Sequence, residues 1–470
     1  MITPTFKVEQ DDNSVTVIIN TPYVRAQDVD LHVHDNEFRF FLKPYFLRLY
    51  FPGRIVEDDD ADAKYDPSSG EFTVRVSKEN KGEHFADLDL LTKLLARRGE
   101  SEAAQLTPKK PLIEVLSSES FDGSDDAPSK EELQEAENFN WELPQQVPAD
   151  DEPILLHSSH YGFNAQYQGF FTHVHETAND INDIQEPEKS TVESRKAARR
   201  DLENEKFDED HYCMDFIQQG DIQYILDYKT LAAKELKRVQ RLAKAAPKPL
   251  IQEYDAVNDI NMDALSIQDP NESLLKFTEQ EQKQMLALPK KEYLLSNEKD
   301  TYLGLVDLLF AYCYNHRTSE GENTVESVWC IGKLSATLSC LEVFSTLKDV
   351  IVTGFRRSLA YPLYRNWALC EKVLLDVYIL FKLGKRAILK ALLEMKDLFD
   401  HHDIYYIYSK IYLDDYCTWI QNANDHVLRT LAHELHHLKL NKEEAQWDLQ
   451  ELEEIAHQMQ EMEHQGESLE

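Results

Sequence analysis

The chain has 470 residues, 42% of them hydrophobic, and carries 86 Asp plus Glu against 50 Lys plus Arg, a net charge of -36. That size and apolar share suffice for two or three cores, while the acid excess argues against direct binding to nucleic-acid phosphates or an anionic bilayer and favours a basic partner. Six cysteines are scattered with no C-x-x-C pair, MITPTFKVEQ lacks a signal-type apolar stretch, and no uncharged apolar run approaches a membrane span, so reduced thiols in cytosol or nucleus are expected.

From Val15 onward apolar residues alternate with polar ones: Val15, Val17, Ile19; Val29, Leu31, Val33; Phe38, Phe40, Leu42; Leu47, Leu49, Phe51; and Phe72, Val74, Val76. A period of two belongs to strands with one buried face. Their separators, Asp11-Asp12-Asn13, Asp35-Asn36, Pro52-Gly53 and Asp66-Pro67 with Gly70, supply the turn conformations that hairpins need. Short strands so closely spaced predict a small β-sandwich over residues 1–97, closed by a helix across HFADLDLLTKLLARR. Residues 98–152 then change character. Ser117-Ser118-Glu119-Ser120, Gly123-Ser124-Asp125-Asp126 and repeated prolines mark an acidic linker whose serines suit an acidophilic kinase and whose Trp141 suits pinning to a folded surface.

From 153 to 470 the pattern is helical. A charge-rich region at about 187–246 precedes strongly periodic segments: YLGLVDLLFAYCYNHR, ESVWCIGKLSATLSCLEVF, KVLLDVYILFKLGKRAILKALLEM and DIYYIYSKIYLDDYCTWI. In the second, Val328, Ile331, Leu334, Leu338 and Leu341 form one apolar stripe. These spacings, without a fixed-period repeat, predict an irregular all-α domain that ends in a partly exposed charged helix over Lys442–Gln460.

One motif points to catalysis. TLAHELHHLKL holds His433, Glu434 and His437 as H-E-x-x-H, which places two imidazoles on one helix face with a carboxylate to take a proton from metal-bound water. A catalytic zinc needs a third protein ligand, and the metzincin pattern is excluded because Leu440 and Glu443 stand where it requires Gly and His. A zinc hydrolase would have to recruit a downstream carboxylate such as Glu461 or Glu463. Because Leu428, Leu431, Leu435 and Leu438 define the buried stripe, His433 and His437 project from the other side, and the motif reads as a chance match with no metal assigned. G-x-x-x-x-G-K-[ST], G-x-G-x-x-G and G-x-S-x-G are absent, and His401-His402-Asp403 read as a capping feature.

The stretch KPYFLRLYFPGRIVEDDDADAKYDPSSGEFTVRVSKENKGEHFADLDLLTKLLA, together with HYGFNAQYQGFF, LLFAYCYNHRTSEGENTVESVWCIGKLSATLSCLE, RRSLAYPLYRNWALC, LGKRAILKALLEMKDLF and YYIYSKIYLDDYCTWIQ, resembles the Shq-one family of H/ACA ribonucleoprotein assembly factors. The likeness spans roughly residues 1–97 and 153–455. It implies a multidomain fold: an N-terminal all-β CS-type sandwich, like those of small heat-shock proteins, and a C-terminal all-α specific domain. It also implies a chaperone that is not an enzyme and needs no cofactor. Such a protein grips the pseudouridine synthase dyskerin across its RNA-binding surface before RNA is loaded, as an acidic mimic of RNA, and AAA+ ATPases help to release it. A monomer in nucleoplasm and cytosol, touching neither nucleic acid nor membrane, is expected. The rival binding role is a general co-chaperone whose CS-type domain docks on an ATPase chaperone while the helical domain brings a client.

Contact candidates follow from residue type. Tyr161, Phe163 and Phe170 lie in a Gly-punctuated loop, where aromatics either anchor a partner or, more commonly, tether the loop to the core; Tyr361, Tyr364 and Arg365 surround Pro362, where a contact competes with the commoner packing of a helix junction by tyrosines. Glu320 and Glu322 flank Gly321 between two helices, and they and Asp414 and Asp415 are suited to meet Lys and Arg of a synthase.

Overall fold

The alternating N-terminal segments become two antiparallel sheets in a computed structural model of the chain, which describes residues 2–21, 29–57, 62–66, 70–95, 159–173, 178–245 and 275–467. One sheet contains β1 (Thr5–Gln10), β2 (Ser14–Asn20) and β8 (Glu71–Lys78), with β6 (Ile55–Val56) and β7 (Asp62–Asp66) sharing the far edge of β8. The other is β3 (Asp30–His34), β4 (Glu37–Leu42) and β5 (Tyr45–Tyr50). Register sets Val17 opposite Val8 and Val74, and Phe40 opposite Leu31 and Leu47, so every second side chain falls on one face. Val15, Val17, Ile19, Val74 and Val76 are thereby buried against Phe38, Phe40, Leu47 and Leu49, and the Phe40 and Phe72 rings meet at 5.4 Å. At the edge, β3 leaves Leu31 and Val33 only half-buried.

The closing helix starts later than expected. Among the described residues of that stretch only α1 (Leu91–Leu95) is helical, and the preceding residues Ala86–Asp89 form turns whose Leu88 joins Leu91, Leu94 and Leu95 under the sandwich. This segment is also the junction between domains. Leu90 belongs to the helical core, Thr92 Oγ1 donates to Met285 O (2.6 Å), and the Lys93 N–H donates to Gln421 Oε1 (3.3 Å). Asp87 lies 2.7 Å from Lys93 Nζ, 3.0 Å from Lys385 Nζ and 3.0 Å from Arg386 Nη2, while Arg386 also reaches Asp89 at 2.9 Å.

The longer described helices of the second domain are α2 (Val192–Lys206), α3 (Glu209–Ile217), α4 (Gln219–Asp227), α5 (Leu231–Ala245), α6 (Glu279–Ala287), α7 (Glu298–Thr318), α8 (Ser327–Leu334), α9 (Leu347–Ala360), α10 (Trp367–Leu383), α11 (Lys385–Asp400), α12 (Asp414–Trp419), α13 (Asp425–His437) and α14 (Leu449–Glu467). α7 is buried on every side, as an all-round apolar helix must be, and α8 to α11 pack about it. The stripe of ESVWCIGKLSATLSCLEVF does not lie on one helix. Ser335 ends α8 and its Oγ caps the short turn Ala336–Ser339, and Leu341 lies beyond it at φ 51°, although Val328, Ile331, Leu334, Leu338 and Leu341 are all buried. The terminal segment is also divided, into a 3-10 turn at Lys442–Ala445 and then α14.

The charged helix α2 turns one stripe of its charges, Arg195, Arg199 and Glu203, inward. Arg199 Nη1 donates to both Glu203 oxygens (2.8 and 3.0 Å) and its Nε to Glu342; Arg356 Nε also donates to Glu203 (2.6 Å), and Arg357 Nη2 to Asp183 (2.8 Å). All six side chains are nearly or fully buried. No described helix is long and apolar enough to cross a membrane. The linker at 98–152, with its serine clusters and Trp141, lies outside the described residues.

Candidate partner-binding surface

The loop at 159–173 is built on one carboxylate. Glu188 accepts from Tyr161 Oη (2.6 Å) and from the N–H groups of Gly169 and Phe171 (3.0 Å each), while Tyr161 Oη accepts from the Phe170 N–H (2.7 Å). Burial, then the Glu188 hydrogen bond, raises the Tyr161 pKa well above that of an ordinary phenol. Gly162 at φ 80° lets the chain approach Ile411, whose carbonyl oxygen would sit 2.8 Å from an added Cβ. Phe163 then inserts edge-on between Tyr293 and Tyr416, with centroids 4.9 Å from each.

Asp415 closes the same assembly from the other end of the sequence. It accepts hydrogen bonds from Tyr167 Oη and Tyr293 Oη, and Lys291 Nζ lies 3.6 Å away. Burial raises its pKa, against the lowering effect of those two hydroxyls. Asp414 is held between Lys396 and Lys410, the latter at 3.1 Å.

The structure brings Tyr161, Phe163 and Asp415 together and gives the two aromatics the tethering place rather than an exposed one. Each is only 1% exposed, so they fasten the loop to the core and present nothing to a partner. Asp414 is likewise occupied by its two lysines. Phe170 differs: it is 43% exposed, resting its ring edge-on against Tyr167.

Glu320 and Glu322 are exposed in the turn after α7, where Glu320 at φ 53° and Gly321 at φ 83° reverse the chain. The turn at 361–365 packs largely as a helix junction. Tyr361 is half-buried beneath Arg357 (4.6 Å) and Lys333 (5.2 Å), Tyr364 O accepts from Tyr314 Oη (2.5 Å), and the Arg365 N–H donates to Asp215 Oδ2 (2.6 Å). Leu363 at its tip is 69% exposed, and Leu294, close to the Asn164–Ser296 hydrogen bond, is 61% exposed. Sequence reasoning passed over both leucines; a leucine embedded in turn chemistry was the available signal.

His433, Glu434 and His437 all sit on the exposed face of α13, opposite buried Leu428, Leu431 and Leu435. The two imidazoles lie 4.2 Å apart, and His437 Nδ1 is 2.8 Å from the His433 carbonyl oxygen. Among the described residues no three His, Cys, Asp or Glu side chains converge as a metal site, so the donor set for a catalytic zinc is incomplete there.

Comparison with known proteins agrees with this two-part plan. Residues 3–95 match the SHQ1-like CS domain, and residues 266–449 match the Shq1 domain of SHQ1 proteins. Protein shq1 of Schizosaccharomyces pombe is 41% identical over 466 residues, covering 96% of each chain. The SHQ1 homologue of Xenopus tropicalis is 38% identical over 99% of this chain and 71% of its own length, and that of Mus musculus 36% identical over 99% and 77%. With both domain models matched in order and relatives aligned along nearly the whole chain, the protein belongs to the SHQ1 family.

Proposed function

We propose that the chain is an assembly chaperone of H/ACA ribonucleoproteins, without catalytic activity of its own, that holds a dyskerin-type pseudouridine synthase on its RNA-binding surface until RNA is loaded. The observation that carries the reading is where the acids lie. Inside the helical domain Glu203, Glu342, Asp376 and Asp183 are each met by arginine, and Asp414 by lysine, whereas Glu320 and Glu322 stand exposed within a chain of net charge -36. Such a surface complements a basic face shaped for phosphates. Phe170 adds an exposed aromatic anchor on a loop that Glu188 and Tyr161 hold rigid. Release by AAA+ ATPases, a monomeric state and a place in nucleoplasm and cytosol belong to the same reading.

The test is binding of the full chain to purified synthase across a salt series. The reading predicts saturable binding that weakens steeply with salt; absent or salt-indifferent binding contradicts it.

A further inference from the structure

α14 is fixed along one face and open along another. Tyr212 Oη donates to Glu453 Oε1 (2.7 Å), Cys213 Sγ lies 3.6 Å from Leu452 O, and Phe216 packs edge-on against His457 at 5.1 Å, so α3 covers that side and Ala456 is fully buried. On the open side Ile455, Met459 and Met462, four and three residues apart, project together and are 44, 56 and 69% exposed. A second stripe runs beside them: Glu451, Glu454 and Glu461, three and seven residues apart and all exposed.

We propose that this face docks an amphipathic protein helix whose aliphatic stripe is bordered by Lys or Arg. Two long, unbranched methionines in a row with the stiffer Ile455 offer an apolar strip that adapts to a partner helix, and methionine is the side chain best suited to such adaptation. The glutamate row sets the sign of the partner's flank. A second copy of the chain would bring its own glutamates to the seam, adding like charges to molecules already at -36 each, so the occupant is basic and is not another copy. The proposal is independent of the synthase reading and is tested without the synthase.

A labelled amphipathic Leu/Lys helical peptide is titrated with the full chain and followed by fluorescence anisotropy. Saturable binding is expected, weakened about tenfold by Met459→Gln with Met462→Gln, and weakened with a smaller salt dependence by Glu454→Gln with Glu461→Gln. The matched pair Glu9→Gln with Glu57→Gln removes the same charge from the exposed surface of the sandwich and is expected to change affinity by less than about twofold. No buried side chain is altered, and unchanged circular dichroism verifies folding. Failure to bind, insensitivity to the methionine pair, or an equal effect of the matched pair would overturn the proposal. So would a wild-type dimer in sedimentation velocity that the methionine pair abolishes, since the face would then be a self-contact.

Discussion

Replacing Asp87 by Asn asks whether the sandwich and the helical domain unfold as one body. Its carboxylate, 12% exposed, faces Lys93 Nζ at 2.7 Å, Lys385 Nζ at 3.0 Å and Arg386 Nη2 at 3.0 Å. Burial by itself raises the pKa, but the Lys385 charge, the Lys93 hydrogen bond and charge, and Arg386 overcome it and hold the group well below the usual carboxylate range. Asn keeps the shape and leaves three cations facing a neutral amide. Breaking a fully buried pair costs about 3–5 kcal/mol and an exposed one up to about 1 kcal/mol; with Asp89 and Asp425 still beside Arg386 and Lys385, about 2–3 kcal/mol is expected. Because the folded pKa lies below the unfolded value of about 3.9, this contribution is full above that value and is lost as the pH falls through it towards the folded pKa. Urea unfolding of the full chain should show a lower midpoint for the variant at pH 7, and the gap to wild type should narrow below about pH 4. A loss under about 0.5 kcal/mol at pH 7, or a gap that ignores acid, would refute the reasoning.

Glu203→Gln removes the carboxylate shared by Arg199, Arg356 and Arg357 and should cost about 3–5 kcal/mol in urea unfolding, because three buried guanidinium groups lose their common partner. Phe163→Ala should cost about 3–5 kcal/mol by emptying the space between Tyr293 and Tyr416, a loss visible in thermal unfolding of the protein alone. Glu320→Lys with Glu322→Lys should do the reverse, leaving stability within about 0.5 kcal/mol while lowering synthase affinity by about tenfold in a binding titration.

The sandwich was largely legible because burial on one face imposes a period of two that survives in a single sequence, as with Val15, Val17 and Ile19. β1, β6 and β7 were not anticipated. In β1, Phe6 and Val8 alternate with Lys7 and Glu9, but the run is short; DAKYD becomes β7 only because β8 offers it backbone partners. The buried charges of α2 were missed for a different reason. Arg195, Arg199 and Glu203 recur every four residues, a stripe as regular as any leucine stripe, yet charge alone does not reveal that Glu342 and Arg356 complete the set from distant elements. Exposure was the least legible property where a residue type serves both roles: Tyr161 and Phe163 are buried, Phe170 of the same loop is exposed, and nothing in their type separates them.

Whether the chain and RNA compete for one surface is the most direct question. Purified dyskerin-type synthase, saturated with the full chain, would be titrated with H/ACA guide RNA while chain-bound and RNA-bound synthase are followed separately. The account predicts exclusion, with each mole of RNA bound displacing one of chain and no ternary species. A stable ternary complex, with RNA binding unchanged by the chain, would contradict it.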